Sequence, residues 1–125
     1  MANPNIVNVA GIYGNNASVS LSTTSATAIV NNAAASNKVY KVNMITVANV
    51  DGTSAADITI SKYSQDDLGG TAYPIVSTVS VPADATLIVM DKTTALYLKE
   101  DESIGATAGT ASDLVVTASW EEINA

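Results

Sequence analysis

Residues 38–50, KVYKVNMITVANV, form the longest run of strand-favouring residues in the chain, and Asp51-Gly52 follows directly. Val, Ile, Tyr and Thr suit a pleated, half-buried surface, and no Pro or Gly interrupts them. The first half alternates, with Tyr40, Val42 and Met44 on one face and Lys41 and Asn43 on the other. The second half places Ile45 and Val47 on the face that Lys41 and Asn43 occupied. Either a bulge shifts the phase near Met44, or the end of the strand is covered on both faces. A strand covered on both sides is central or lies at a subunit contact. We read it as the middle strand of a β-sandwich, with the rest of the chain folded around it.

Downstream, Asp51-Gly52-Thr53-Ser54 makes a turn, and residues 57–63, DITISKY, alternate with Ile58 and Ile60 inward. These two strands are expected to pair as an antiparallel hairpin. Residues 64–71, SQDDLGGT, read as a mobile loop and residues 75–81 as a strand. Pro82-Ala83-Asp84 turns the chain, and residues 87–90, LIVM, read as a strand covered on both faces. Residues 95–98 form a short strand, residues 99–102, KEDE, a charged corner, and residues 104–107 a weak strand. Residues 113–123 close the chain, with Leu114, Val116, Ala118 and Trp120 in phase.

Upstream, residues 31–37 read as a loop, residues 26–30 as a short strand, and Val19 and Leu21 as the apolar side of another. Gly11, Gly14, Asn15 and Asn16 read as a turn region and residues 6–10 as a short strand. Residues 1–5 are polar, contain Pro4, and read as an extended arm. No segment has a useful helical period. The spacing of short strands predicts an all-β protein. The expected form is a single antiparallel sandwich, jelly-roll- or Ig-like, over residues 6–125, preceded by an N-terminal arm over residues 1–5.

Composition narrows function more by exclusion. The 125 residues contain no Cys and no His. Disulfides, thiolate metal sites, a thiol nucleophile and a serine–histidine triad are therefore impossible within the chain. The net charge is −7, and the cations are Lys38, Lys41, Lys62, Lys92 and Lys99, with no Arg. Phosphate neutralisation drives nucleic-acid binding, so neither nucleic acid nor an anionic membrane is an expected partner. The start, MANPNIVNV, lacks the basic and continuously apolar regions of a signal peptide, and no run approaches the ~20 apolar residues of a spanning helix. Synthesis in a cytoplasm is expected.

Several residue groups invite chemistry, and each has a plainer reading. Asp66 and Asp67 before Gly69-Gly70 resemble a Ca²⁺ loop, but the EF-hand spacing is absent and a solvated loop suffices. Glu100, Asp101 and Glu102 are more simply a charged corner that keeps an edge from pairing. Most acids sit in turns and none lies at the centre of an apolar strand, where its pKa would be raised for glycoside hydrolysis, so no catalytic residue, metal ligand or cofactor is assigned. Tyr13, Tyr63, Tyr73, Tyr97 and Trp120 would make a sugar-stacking platform if gathered on one surface. The phase of Trp120 places it instead in the core or at a subunit contact. Lys38 and Lys41 are strand-face charges or partners for acids of a neighbouring subunit.

The order of segments carries a resemblance. MANPNIVNV, KVYKVNMITVANVDG, YPIVSTVSVPADATLIVMDK, LYLKEDESI and TASDLVVTASWEEI follow one another over nearly the whole chain. Together they resemble the small virion structural proteins of tailed bacteriophages, especially those of marine cyanobacterial phages. The resemblance implies a non-enzymatic β-sandwich subunit in the virion, most simply a capsid decoration or cement protein that bridges shell subunits. It would associate with itself, as a homotrimer, and with the major capsid protein or another virion protein. The alternative it leaves open is a neck, tail or fibre component that binds a receptor glycan. It transfers no functional residues. From the strand pattern, the expected contact residues are Asn3, Pro4 and Asn5 of the arm, with Ile45, Val47, Val89 and Trp120.

Overall fold

The structure, a computed structural model, describes residues 3–125. Nine strands follow in order: β1 (Gly11–Ser20), β2 (Thr27–Asn32), β3 (Lys38–Asn49), β4 (Ala56–Tyr63), β5 (Ala72–Val81), β6 (Thr86–Met90), β7 (Leu96–Leu98), β8 (Glu102–Ala108) and β9 (Leu114–Asn124). They form two antiparallel sheets. One has the order β1-β9-β3-β6, with β7 also paired to β3, and the other the order β2-β8-β4-β5. If β6 and β7 are counted as one interrupted strand, eight strand positions lie in two sheets and most connections cross between them. That is the jelly-roll form of a sandwich rather than the Ig form. Among the described residues, no helix is long and apolar enough to cross a membrane.

The long strand is central, as its sequence indicates: β3 is flanked by β9 on one side and by β6 and β7 on the other. Its change of phase is a bulge. The β3–β9 register shifts between Val42 and Met44. Before it, Tyr40 and Val42 enter the core; after it, Ile45 and Val47 do. Met44 is left half-buried instead of joining the face of Tyr40 and Val42. An extra residue reverses the in–out alternation, so one strand keeps a buried face along its whole length.

The expected hairpin between residues 38–50 and 57–63 does not form. β4 lies in the opposite sheet between β5 and β8, while β3 pairs with β9, β6 and β7. The turn after Val50 carries the chain across the core rather than back along the same sheet. Asn49 fixes this crossing. Its buried side-chain amide donates to Ser54 O at 3.0 Å and Val81 O at 2.9 Å, and its Oδ1 accepts from Asp51 N. Asn32 does the same at the other end, donating to Lys38 O and Leu98 O from a fully buried position. Buried amides are stable only when so satisfied. Each therefore specifies one arrangement of the crossing.

Two upstream assignments are also corrected. Residues 6–10 form no strand: Asn5 bends the chain there, accepting from Asn8 N through its carbonyl and from Val7 N through its side chain. Gly11, Gly14, Asn15 and Asn16 are not a turn but the first part of β1, paired without interruption from Gly11 opposite Asn124 to Ser20 opposite Val115. A long, well-ordered neighbour overrides the low strand preference of Gly and Asn. Residues 104–107 belong to β8, which is central in its sheet and almost wholly buried. Of LIVM, Met90 is buried and Leu87 and Val89 pack on the core, but Ile88 is 65% exposed.

Candidate assembly surface

The core consumes most of the residues expected to make contacts. Ile45 and Val47 are fully buried between the sheets, and Val89 packs against that core. Trp120 is buried and stacked on Tyr40, with ring centroids 6.1 Å apart. On the folded subunit Ile45 and Val47 have no surface to offer a neighbour. Their side chains hold the two sheets together instead. Of the arm, Met1 and Ala2 lie outside the described residues; Asn3 and Asn5 are exposed and Pro4 is buried.

The apolar surface lies elsewhere, on the outer face of the sheet containing β3. Val39 and Ile123 are buried but take no part in the core. They alternate with core residues and so face outward. Ile12, Ile123 and Val39 form one cross-strand row over β1, β9 and β3. The arm lies over its end. Asn3, Pro4 and Ile6 line a hollow of about 310 Å³ with Val39, Tyr97 and Lys99. Ile12 in this row and Ile6 and Tyr97 beside it are 55%, 51% and 46% exposed, and Val7, next to Ile6 in the chain, is 90% exposed. So many large apolar side chains at one end of one face mark an interaction surface. Val7 and Ile12 carry no surface signal in the sequence, because residues 6–10 read as a strand and Gly11 to Asn16 as a turn, the reverse of the structure.

The acidic groups are structural. Glu100 and Glu102 are buried, not exposed at a charged corner. Glu100 accepts from Asn37 N at 2.8 Å. Glu102 accepts from Lys62 Nζ and Lys99 N, each at 2.9 Å. Asp66 and Asp67 fasten their loop. Asp66 Oδ2 accepts from Ala34 N, while Asp67 Oδ1 accepts from the Asn31 amide and Asp67 N donates to Asn31 Oδ1. The loop backbone also bonds to Asp101 and Ser103, so residues 64–71 are tied down. Among the described residues, no group of three or more His, Cys, Asp or Glu is arranged to hold a metal ion.

Glu122 is the centre of a polar cluster at the open end of the sandwich. Burial pushes its carboxyl up, but donors from Asn15 and Trp120 and the Lys38 ammonium outweigh it and hold the group below its ordinary value. Lys38 thus meets an acid of its own chain, at 3.5 Å. Burial, with Glu122 nearby, raises the Tyr40 phenol. The aromatics do not gather on one surface. Tyr97 is on the outer face, Tyr13 on β1, and Tyr63 and Tyr73 on β4 and β5 of the other sheet. Lys62 lies over the Tyr73 ring, 5.8 Å from its centroid.

No protein-family model matches the chain, and no curated protein matches it. Among solved structures, the chain is similar to one described as Bacillus endospore appendages forming a family of disulfide-linked pili. The identity is 16% and the TM-score 0.51, over 90% of this chain and 88% of that one. That likeness shows a shared fold. Weaker likenesses are to infectious bursal disease virus, Gt strain (TM-score 0.45, 9% identity) and Gx strain (TM-score 0.43, 11% identity). About 91% of this chain aligns there, spanning only 32% and 33% of those longer chains.

Proposed function

We propose that this chain is a non-enzymatic structural subunit of a bacteriophage virion, a capsid decoration or cement protein that stabilises the shell by burying apolar surface between subunits. One observation carries this reading: the apolar row Ile12–Ile123–Val39, with Ile6 and Tyr97 exposed beside it. Such a patch on a small acidic subunit needs a partner surface. The partners are other copies of the chain and the major capsid protein or another virion protein. The jelly-roll fold is compatible, since it recurs in capsid domains, but fold alone assigns no function. The similar pilus structure is described as disulfide-linked. This chain has no Cys, so its own contacts are not disulfide-linked.

A second reading, a glycan-binding module of a neck, tail or fibre, is favoured by the exposed rings of Tyr13 and Tyr73, 63% and 56% exposed. Their placement on different sheets counts against a single platform. Copy number in purified particles, measured by mass spectrometry against the major capsid protein, separates the two. A number comparable with the capsid protein supports decoration, and a small fraction of it supports the neck, tail or fibre. Absence from the particle overturns both.

A further inference from the structure

Among the described residues, two features at one end of the sandwich are only partly paired. The first is the outer side of β1, which pairs only with β9. The other sheet edges are blunted: β2 has six residues and a register shift between Ala28 and Val30. β5 contains Pro74, two register shifts against β4, and Thr78 at φ 51°. β6 and β7 have five and three residues. These are the devices that keep an edge from pairing. β1 has none: ten residues in unbroken register, with no charge and no Pro. Leu21 N donates to Leu114 O at 2.9 Å. Counting back in twos, the odd-numbered residues of β1 bond to β9, and the even-numbered ones turn their N–H and C=O outward. In that row, Asn16 N is held locally by Asn15 Oδ1.

The second feature is residues 5–10, NIVNVA, which alternate as a strand does yet form none. The bend at Asn5 is local, Val7 is 90% exposed, and the segment runs directly into β1, tied to β9 at its end by Ala10 N, which donates to Asn124 O at 3.1 Å.

We propose that these two features complete each other between two copies of the chain. Residues 5–10 straighten as a continuation of β1 and add, antiparallel, to the open side of β1 in a second copy. The exchange is reciprocal about a two-fold axis near Gly11. Residues 6–9 of each copy then lie against residues 13–16 of the other, with even-numbered residues facing even-numbered ones as the hydrogen-bond pattern requires, while Ala10 N keeps its bond to Asn124 O of its own chain. Val7 and Val9 fall on the same face as the partner's Tyr13 and cover it. Residues 5–20 carry no charge, so the two-fold sets no like charges opposite each other. The contact is isologous and closes at two copies. This rests on the assembly reading above and adds a contact between copies at the β1 edge beside that surface.

The test is the mass of the full chain in solution, by light scattering and sedimentation over a concentration series at about 0.15 M salt, where the Debye length is about 8 Å. A dimer is expected. Deletion of residues 1–9, and separately Gly14→Pro, should each halve the mass while the circular dichroism stays that of the folded sandwich. A Cβ at Gly14 meets nothing within 4 Å, so the substitution acts on the open edge. If the deletion does not fold, Gly14→Pro decides alone. A monomer at all concentrations, a trimer, or a dimer that survives Gly14→Pro overturns the proposal. None of these outcomes touches the virion reading, which the particle copy number decides.

Discussion

Glu102→Ala should destabilise the subunit by about 3 kcal/mol. Glu102 is 7% exposed and its two oxygens have different partners. Oε1 accepts from the Lys99 backbone N–H, and Oε2 accepts from the Lys62 ammonium. Removing the acceptor of the part-buried Lys99 N–H costs at the lower end of about 1–3 kcal/mol, and losing a charged hydrogen bond about 1.5–3 kcal/mol. The Lys62 side chain is 27% exposed and keeps the Tyr73 ring, so water and that ring recover part of the second loss. The sum is therefore taken near the lower ends. For 125 residues the unfolding entropy is about 0.26 kcal/mol/K, so Tm should fall by about 11 °C. Glu102→Gln keeps the shape and an acceptor for Lys99, and should cost only about 1 kcal/mol, or about 4 °C. Thermal melts at pH 7 followed by circular dichroism and calorimetry measure both. A Glu102→Ala melt within about 1 °C of the parent would refute the reasoning. The corner would then be the solvated charge cluster that its sequence resembles.

Three further outcomes are expected. Ile45→Ala should cost about 3–4 kcal/mol in urea titrations, as for a fully buried side chain, whereas Val50→Ala at a 60% exposed position should cost under about 0.5 kcal/mol. Equal costs would contradict the placement of Ile45 in the core. Gly105→Ala puts a methyl 2.6 Å from Leu68 Cδ2 and 3.1 Å from Tyr63 Cε1. The flexible end of Leu68 can yield, so the loss is about 1–2 kcal/mol. It should appear as faster hydrogen exchange at Leu68 N, which donates to Ser103 Oγ; unchanged exchange there would show that Gly105 does not seat the loop. The carboxyl of Glu122 is held below its ordinary value, so the folded state binds fewer protons than the unfolded one. Its stabilisation is present above the ordinary carboxylate range and lost as pH falls through the lower folded value. Melting from pH 7 to about pH 3 should therefore show a shallower acid limb for Glu122→Gln than for the parent, and parallel limbs would count against the cluster.

Much of the strand content was legible because a strand writes its own period. The bulge near Met44 showed as a reversal of phase between Val42 and Ile45, since the buried face cannot change while the count does. The inward Ile58 and Ile60, the short strand before Lys99, and the phase of Leu114, Val116, Ala118 and Trp120 were likewise local patterns. The assembly surface was barely legible. NIVNV looks like a strand, and GIYGNNAS looks like a turn, yet a bend at Asn5 and pairing to β9 reverse the two. Neither the local hydrogen bonds of Asn5 nor a partner more than a hundred residues away leaves a mark on the period.

By itself, then, the sequence determined that the chain is all-β, that its central strand lies within residues 38–50, and that the in–out phase of that strand reverses near Met44; that Ile45 and Val47 enter the core rather than a subunit contact was decided by the fold. Alternation is set by the residues of one strand. Only the tertiary structure decided which sheet each strand joined, because a turn that crosses the core and a turn that closes a hairpin use the same residues. It also decided that Glu100 and Glu102 are buried. A carboxylate enters a protein interior only where donors await it, and those donors, Asn37 N, Lys62 and Lys99 N, come from the β2–β3 connection, β4 and the β7–β8 connection.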